Sequence, residues 1–118
     1  MAVRRAERVA RQVVQALASI LEEGTHDARL SRVTLTDARM SDDLRHARVY
    51  FSCFGGQEEA AEAAHALTAA SGYLRRELGT RLALRSIPAL VFEYDESLAR
   101  AERIEKLLKG GGGAGQGE

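Results

Sequence analysis

The sequence predicts a small α+β domain, and three observations support this fold class. Residues 3–23 carry apolar side chains at helical spacing. Two runs between residues 30 and 54 alternate between apolar and polar side chains, as strands do. A long helical segment over residues 55–86 then precedes a third short apolar run. A chain of 118 residues has room for one modest core. The predicted element order is αββααβα, in which a three-stranded mixed sheet is packed on helices.

The first element is predicted to be an amphipathic helix. Its apolar side chains recur every three or four residues, and Gly24 stands where a helix commonly ends. The apolar positions are Ala6, Val9, Ala10, Val13, Leu17, Ile20 and Leu21.

An antiparallel hairpin is predicted to follow. Its first strand lies within residues 30–40, where positions 32–36 alternate and include β-branched side chains. Residues 41–43, Ser-Asp-Asp, have the chemistry of a turn. The connection is short, which requires antiparallel pairing. In the second strand, four apolar side chains alternate with the residues between them: Ala47, Val49, Phe51 and Cys53.

Two helices are predicted in the segment that crosses to the third strand. The first follows Gly55 and Gly56, and a slim apolar stripe of Ala60, Ala61, Ala64 and Leu67 allows it to pack closely against its neighbours. The second helix contains Leu74, Leu78 and Leu82. Because so long a helical crossover joins parallel strands, the second and third strands are expected to be parallel.

The third strand is predicted over residues 90–94, after Pro88, which cannot donate a ladder hydrogen bond. Asp95 is placed to cap a last helix with an apolar stripe of Leu98, Ala101, Ile104, Leu107 and Leu108. Residues 110–118 hold many of the glycines. We therefore expect a domain over residues 1–109 and a flexible Gly-rich tail over residues 110–118.

Charge is distributed unevenly although the formal net charge is zero. Residues 1–12 and residues 72–85 each carry a net charge of +3, while acidic side chains gather at positions 58–62 and 95–105. Segregation of this kind gives a neutral protein one basic face, as a nucleic-acid contact requires. The arginines concerned are Arg4, Arg5, Arg8, Arg11, Arg75, Arg76, Arg81 and Arg85.

The break at Ala70, Ser71 and Gly72 is a candidate anion site. The first backbone N–H groups of a helix lack intrahelical partners and carry a partial positive charge, so they favour phosphate. Gly72 would allow close approach, and the Ser71 hydroxyl could cap the second helix. Arg75 and Arg76 follow within one turn. The alternative interpretation is that residues 70–72 only turn the chain and both arginines are solvated.

Catalytic and membrane functions find little support in the sequence. Glu62 and His65 have the Glu-x-x-His spacing of a carboxylate metal site, but such a site needs a second Glu-x-x-His motif on another helix, and the other predicted helices hold none. The lone Cys53 alternates with apolar residues, which is typical of a structural thiol. No apolar run has membrane-spanning length and the N-terminus lacks a secretory segment, so we expect a cytoplasmic protein without membrane contact.

Three blocks of the sequence resemble the signature blocks of the bacterial ribosome-binding factor A family, and the opening Arg-rich helix is similar as well. The likeness extends over residues 3–108. The blocks are residues 41–50 (SDDLRHARVY), residues 70–75 (ASGYLR) and residues 87–97 (IPALVFEYDES).

This resemblance implies a type II KH-like fold, with an αββααβ core, a C-terminal helix and an Ala-x-Gly helix-kink-helix in place of the usual Gly-x-x-G loop. It also implies a non-catalytic ribosome assembly factor that binds the small (30S) subunit and the 16S rRNA precursor, assists late maturation and rRNA processing, and is linked to growth in the cold. No cofactor, metal or DNA partner is implied, and nothing in the sequence indicates a dimer.

With the resemblance, the RNA-contact candidates are Ala70, Ser71, Gly72 and the eight arginines named above. A small α/β protein-interaction module without direct RNA contact stays open as the alternative. Its binding would survive neutralisation of Arg75 and Arg76. A small enzyme is a third class, and it would need a cleft with convergent titratable groups.

Overall fold

The computed structural model describes residues 2–24, 27–97, 105, 107 and 108. The elements are α1 (Ala2–Glu22), a 3-10 turn (Ala28–Arg32), β1 (Val33–Met40), β2 (His46–Cys53), α2 (Gln57–Ala69), α3 (Ser71–Arg81) and β3 (Ala89–Tyr94). This order confirms the predicted αββααβ core. None of the helices in the described part of the chain is both long enough and apolar enough to cross a membrane.

The sheet has the strand order β1-β2-β3. β1 pairs antiparallel with β2, and β2 pairs parallel with β3, as the short turn and the long helical crossover predicted. The β1–β2 register shifts between Leu35 and Asp37, which marks a bulge. The central strand therefore joins the hairpin to the crossover.

One face of the sheet packs on the helices. Val49 and Phe51 of β2 are fully buried against fully buried leucine and isoleucine side chains of the helices. Burial of such side chains removes apolar surface from water and is the main favourable term in folding. The large, fully buried side chains that the helices contribute are Val13, Leu17, Ile20, Leu67, Leu74 and Leu78. On the other face Arg48 and Val91 are exposed, so the second face of the sheet is open to solvent at these positions.

The predicted apolar stripe of α2 was wrong in part. In α2 the buried stripe is Ala60, Ala63, Ala66 and Leu67, whereas Ala61 is exposed and Ala64 is half-buried. Alanines surround this helix, so the local pattern does not fix which side is buried and the contacts with the sheet decide it.

The first strand, Val33–Met40, lies within the predicted range 30–40. Leu30 precedes the strand, lies in the 3-10 turn and is buried in the core. The Asp27 side chain accepts a hydrogen bond from the Arg29 backbone N–H at 3.0 Å and caps that turn.

The C-terminal helix is described only in part. The Ser97 backbone N–H donates to the Asp95 carboxylate at 3.0 Å, which confirms the predicted cap, and Glu96 and Ser97 are helical. Leu107 and Leu108 are helical and exposed. The predicted stripe positions Leu98, Ala101 and Ile104, and the predicted tail over 110–118, lie outside the described residues.

Candidate nucleic-acid interface

A groove of about 800 Å³ lies between the N-terminal half of α1, the turn from β1 to β2, and the segment 83–88 that leads into β3. We call it the basic groove. Its charged lining is made of four arginines and two aspartates, so it carries a net positive charge. These residues are Arg5, Arg8, Arg45, Arg85, Asp42 and Asp43, and the rest of the lining is Val9, Gln12, Met40, Leu44, Ala83, Leu84, Ser86 and Pro88.

α1 supplies the first wall of the basic groove. Its buried stripe includes Val9 and Val13, and Arg5 and Arg8 lie exposed beside that stripe on the flank that lines the groove. Arg4 is exposed and lines neither of the two grooves beside α1. The guanidinium groups of Arg5 and Arg8 suit a phosphate contact at the basic groove, because a guanidinium group binds phosphate oxygens in a bidentate way.

The opposite flank of α1 borders a second groove of about 350 Å³. Arg11 and Arg39 line it together with three acidic side chains, Glu7, Asp37 and Asp42. Acids outnumber bases there, so this groove is a poorer site for a polyanion than the basic groove. The structure thus separates Arg11 from Arg5 and Arg8, although all three belong to one basic cluster in the sequence.

The turn from β1 to β2 supplies the second wall. The Asp43 carboxylate accepts hydrogen bonds from the Ser41 hydroxyl at 2.7 Å and from the Arg45 backbone N–H at 3.0 Å. These bonds, the one from Ser41 first, lower the pKa of Asp43. Leu44 has a φ of 62° in the left-handed region, which is uncommon for a residue with a side chain. The turn is therefore held in a defined conformation by its own side chains.

Arg45 is a basic-groove residue that the charge count along the sequence did not single out. Its backbone is fixed from two sides, because its N–H donates to Asp43 and its carbonyl oxygen accepts from the Ala89 N–H at 2.8 Å. It stands within the SDDLRHARVY block, so the resemblance already covered this position. A count of charge clusters misses it because acids precede it.

The segment 83–88 supplies the third wall, and Arg75 fixes that segment. The Arg75 guanidinium donates from Nε to the Pro88 carbonyl oxygen at 3.0 Å and from Nη2 to the Ile87 carbonyl oxygen at 2.9 Å. Pro88 is fully buried and Arg85 is exposed at the groove. Arg75 therefore holds in place the segment that carries Arg85, a role that the sequence did not indicate.

Arg81 is engaged in ion pairs within the domain. Its guanidinium lies 2.6 Å from the Glu23 carboxylate and 3.6 Å from that of Glu77. The hydrogen bond with Glu23 raises the pKa of Arg81 and lowers the pKa of Glu23. Arg81 thus joins the C-terminal ends of α1 and α3, and its charge is compensated locally.

The predicted break between the two helices is present. α2 ends at Ala69, Ala70 has φ −88° and ψ 0°, and α3 begins at Ser71. The Ser71 hydroxyl donates to the Thr68 carbonyl oxygen at 2.7 Å, so the expectation that it caps α3 was wrong: the helix reaches Ser71 itself, and Ala70 occupies the cap position. A Cβ added at Gly72 would meet nothing within 4 Å, and Arg76 is exposed.

The kink and the basic groove are distinct places. None of residues 70–72, 75 and 76 lines the groove. The kink lies at the start of α3 and Arg85 follows the end of that helix, whose 11 residues span about 16 Å. The structure brings Arg85 together with Arg5 and Arg8, and it leaves Arg76 at the kink.

The chemistry of the described residues gives no support to a metal centre or an activated thiol. They contain no group of three or more side chains that could hold a metal ion, so Glu62 and His65 form no such site with them. Cys53 is half-buried, and burial raises the pKa of its thiol, which disfavours the reactive thiolate.

Comparisons with known proteins identify the relatives of this chain. A family model described as ribosome-binding factor A matches residues 5–108. Ribosome-binding factor A of Geobacter metallireducens is 37% identical over 106 residues, which cover 90% of each chain. The protein of that name from Brevibacillus brevis is 42% identical over 105 residues, which cover 89% of this chain and 87% of the relative.

Solved structures agree with the sequence relatives. The crystal structure of ribosome-binding factor A from Thermus thermophilus has a TM-score of 0.66 and 29% identity, and the match covers 75% of this chain and 94% of that one. A homology model of the Thermus thermophilus protein, fitted into a cryo-EM map of a 30S complex with it, matches with a TM-score of 0.60 and 30% identity over 74% of this chain and 91% of that one. The α+β KH-like fold class is thereby confirmed.

Proposed function

We propose, from the premise that the chain belongs to the ribosome-binding factor A family, that it binds the small ribosomal subunit by contacting 16S rRNA with its basic groove. The observation that carries the proposal is the convergence of Arg5, Arg8, Arg45 and Arg85 from three separate segments on one space. The Thermus relative fitted into a map of a 30S complex supports the small subunit as the partner.

The mechanism that fits this geometry is contact with the phosphate backbone. Arginines that lie apart in the sequence are held at fixed positions by α1, by the hydrogen-bonded turn and by the Arg75 contacts to Ile87 and Pro88. Such contacts fix the position of an RNA chain without reading its sequence. The kink-helix motif lacks a Gly-x-x-G loop, so the proposed recognition depends on RNA shape and not on a single-strand clamp.

Several finer statements belong to the same proposal. We propose that the protein acts without catalysis or a cofactor, assists late subunit maturation and 16S rRNA processing, supports growth in the cold and works in the cytoplasm as a monomer. We further propose that Ala70, Ser71, Gly72 and Arg76 add a second RNA contact at the kink. Arg4 and Arg11 remain candidate contacts of α1, whereas Arg75 and Arg81 are assigned first to holding the fold.

Co-sedimentation with purified small subunits tests the proposal. The double variant Arg5→Glu with Arg85→Glu reverses two groove charges that have no ion pair with the described residues. We expect this variant to stay in the supernatant at salt concentrations where the wild type pellets with the subunits. The single variant Arg32→Glu is the matched control, because Arg32 is exposed and lines a different groove.

The experiment also decides between the two candidate functions. If the double variant sediments like the wild type, the basic groove is not the contact surface. A protein-interaction module without RNA contact would then be favoured. Circular dichroism of both variants should match the wild type, since the substituted side chains are exposed.

A further inference from the structure

Phe54 is an aromatic side chain left in solvent at the end of β2. Its side chain is 87% exposed, more than that of Tyr73 at 39% or Val91 at 47%. It borders a groove of about 250 Å³ that we call the Phe54 surface, lined by Ala28, Arg29, Arg32, Cys53, Phe54, Glu59, Glu62 and Ala63. Aromatic side chains are enriched at the centres of protein interfaces.

The chain presents Phe54 on a fixed turn. Gly55 follows with φ +106°, and a Cβ added there would meet the Glu59 side chain at 2.6 Å. The Glu59 carboxylate in turn accepts a hydrogen bond from the Gly56 N–H at 2.8 Å, which fixes the backbone at the start of α2. The backbone that follows Phe54 is therefore ordered before a partner binds, so binding does not have to order this turn.

The Phe54 surface lies away from the basic groove. The groove is lined by residues 42–45, which precede β2, whereas Phe54 follows its last residue. The eight residues of β2 separate the two ends by about 26 Å. One bound polyanion at the basic groove therefore does not account for the exposure of Phe54.

The charged side chains around Phe54 indicate which kind of partner this surface binds. Arg29 is paired with Asp27 at 2.7 Å, which leaves Arg32 as the basic side chain without an ion pair to the described residues. Glu58 and Glu62 are exposed one turn apart on α2, and Glu59 is adjacent. The groove lining itself has two arginines and two glutamates, but with the adjacent Asp27 and Glu58 the area carries four carboxylates against two guanidinium groups. The area around Phe54 is therefore net negative, so it repels nucleic acid and attracts cationic chains.

We infer that the Phe54 surface docks a lysine- and arginine-rich protein segment, with an apolar side chain of that segment packed on Phe54 and its cations near Glu58 and Glu62. The inference does not depend on RNA binding at the basic groove. It gives the domain two opposite ends, one for a polyanion and one for a polycation.

An NMR titration of the full-length protein tests this inference. The probe is a short synthetic peptide of alternating lysine and leucine, with an alternating glutamate and leucine peptide and an oligouridylate in parallel titrations. We expect the lysine peptide to shift the amide signals of residues 53–62. Phe54→Ser should weaken its binding about tenfold or more, as loss of an aromatic anchor does, and Glu58→Lys with Glu62→Lys should abolish it.

Val91→Ser is the matched control, because it removes an exposed apolar side chain from the open face of the sheet, and its affinity for the lysine peptide should equal that of the wild type. Three results would overturn the inference. These are no shift at residues 53–62 with the lysine peptide, an equal shift with the glutamate peptide, or a shift there with the oligouridylate. None of these readouts uses ribosomes, so the outcome is independent of the proposed function.

Discussion

Single arginines of this domain differ in what their guanidinium groups contact. Arg75 donates to two main-chain carbonyl oxygens 12 and 13 residues away, and Arg81 binds a carboxylate 58 residues away. Arg76 and Arg85 are exposed, with no hydrogen bond or ion pair to the described residues. The sequence indicates a basic cluster, but it does not indicate which members are structural. That depends on segments that only the fold brings near.

Arg75→Met is expected to destabilise the domain. The substitution keeps the apolar stem and removes both hydrogen bonds to the segment 87–88. Hydrogen bonds from charged donors contribute about 1.5 to 3 kcal/mol each, and the exposure of one of them here favours the low end. We expect the free energy of unfolding in urea to fall by about 1 to 3 kcal/mol.

Arg76→Met is the control for this measurement. Arg76 is exposed and neighbours Arg75 on the same helix, so its loss should change the free energy of unfolding by no more than about 0.5 kcal/mol. Equal stability of the two variants would show that the Arg75 contacts do not hold the segment. A charge reversal of Arg75 and Arg76 together would not isolate RNA contact, because the Arg75 half of it disturbs the fold.

Asp43 is expected to contribute to the acid sensitivity of the domain. Hydrogen bonds from Ser41 and Arg45 lower its pKa in the folded state below the ordinary value of 3.8. A carboxyl group with a lowered folded pKa stabilises the fold above its unfolded pKa, and this contribution disappears as pH falls through the folded pKa. The loss should therefore begin near pH 3.8 and continue below it.

Asp43→Asn isolates this effect, because an amide oxygen can accept the same hydrogen bonds without titrating. Urea unfolding at neutral pH and below pH 4 should show a larger loss of stability on acidification in the wild type than in this variant. Parallel pH profiles would mean that the turn does not hold the carboxylate as described.

Among the elements, the kinked helix pair shows what a local pattern predicts well. Small residues at 70–72 predicted the break, and the break lies at Ala70. The sequence pattern did not predict which side of α2 is buried, since Ala61 is exposed while Ala63 and Ala66 are buried. A break in a helix follows from the backbone preferences of a few residues. The buried side of an alanine-rich helix follows from its packing against the sheet.

Gly72→Ala separates stability from binding at this kink. The backbone of Gly72 is helical and a Cβ would have open space, so alanine should raise the free energy of unfolding by about 0.4 to 1 kcal/mol. If phosphate approaches the kink closely, as we propose, the added methyl group should weaken binding to small subunits. Thermal unfolding and sedimentation of the same preparation check both statements.

Gly79→Ala is the matched control on α3. There a Cβ would come within 3.1 Å of Ile87 Cδ1, so the crowding offsets the gain in helix propensity, and subunit binding should stay at the wild-type level. Undiminished binding of the Gly72→Ala protein would remove the kink from the proposed contacts.

In the whole molecule, the formal net charge is zero, but basic and acidic side chains gather at two different ends. The hairpin end carries the basic groove and the far end of β2 carries Phe54 with the acidic start of α2. The order of elements and both strand pairings followed from the sequence, because turn length and crossover length restrict strand direction. The sequence does not predict the composition of the basic groove, where four arginines meet: Arg5, Arg8, Arg45 and Arg85. Their proximity depends on the path of residues 83–88, which Arg75 fixes from α3.

The salt dependence of binding to purified small subunits tests the central claim most directly. Each phosphate contact contributes about 0.7 to 0.9 to the slope of log affinity against log salt concentration. Arg5→Gln with Arg85→Gln should therefore reduce the slope by about 1.4 to 1.8, whereas Arg32→Gln should leave it unchanged. A slope in the double variant equal to that of the wild type would contradict the assignment of the basic groove as the surface that contacts rRNA.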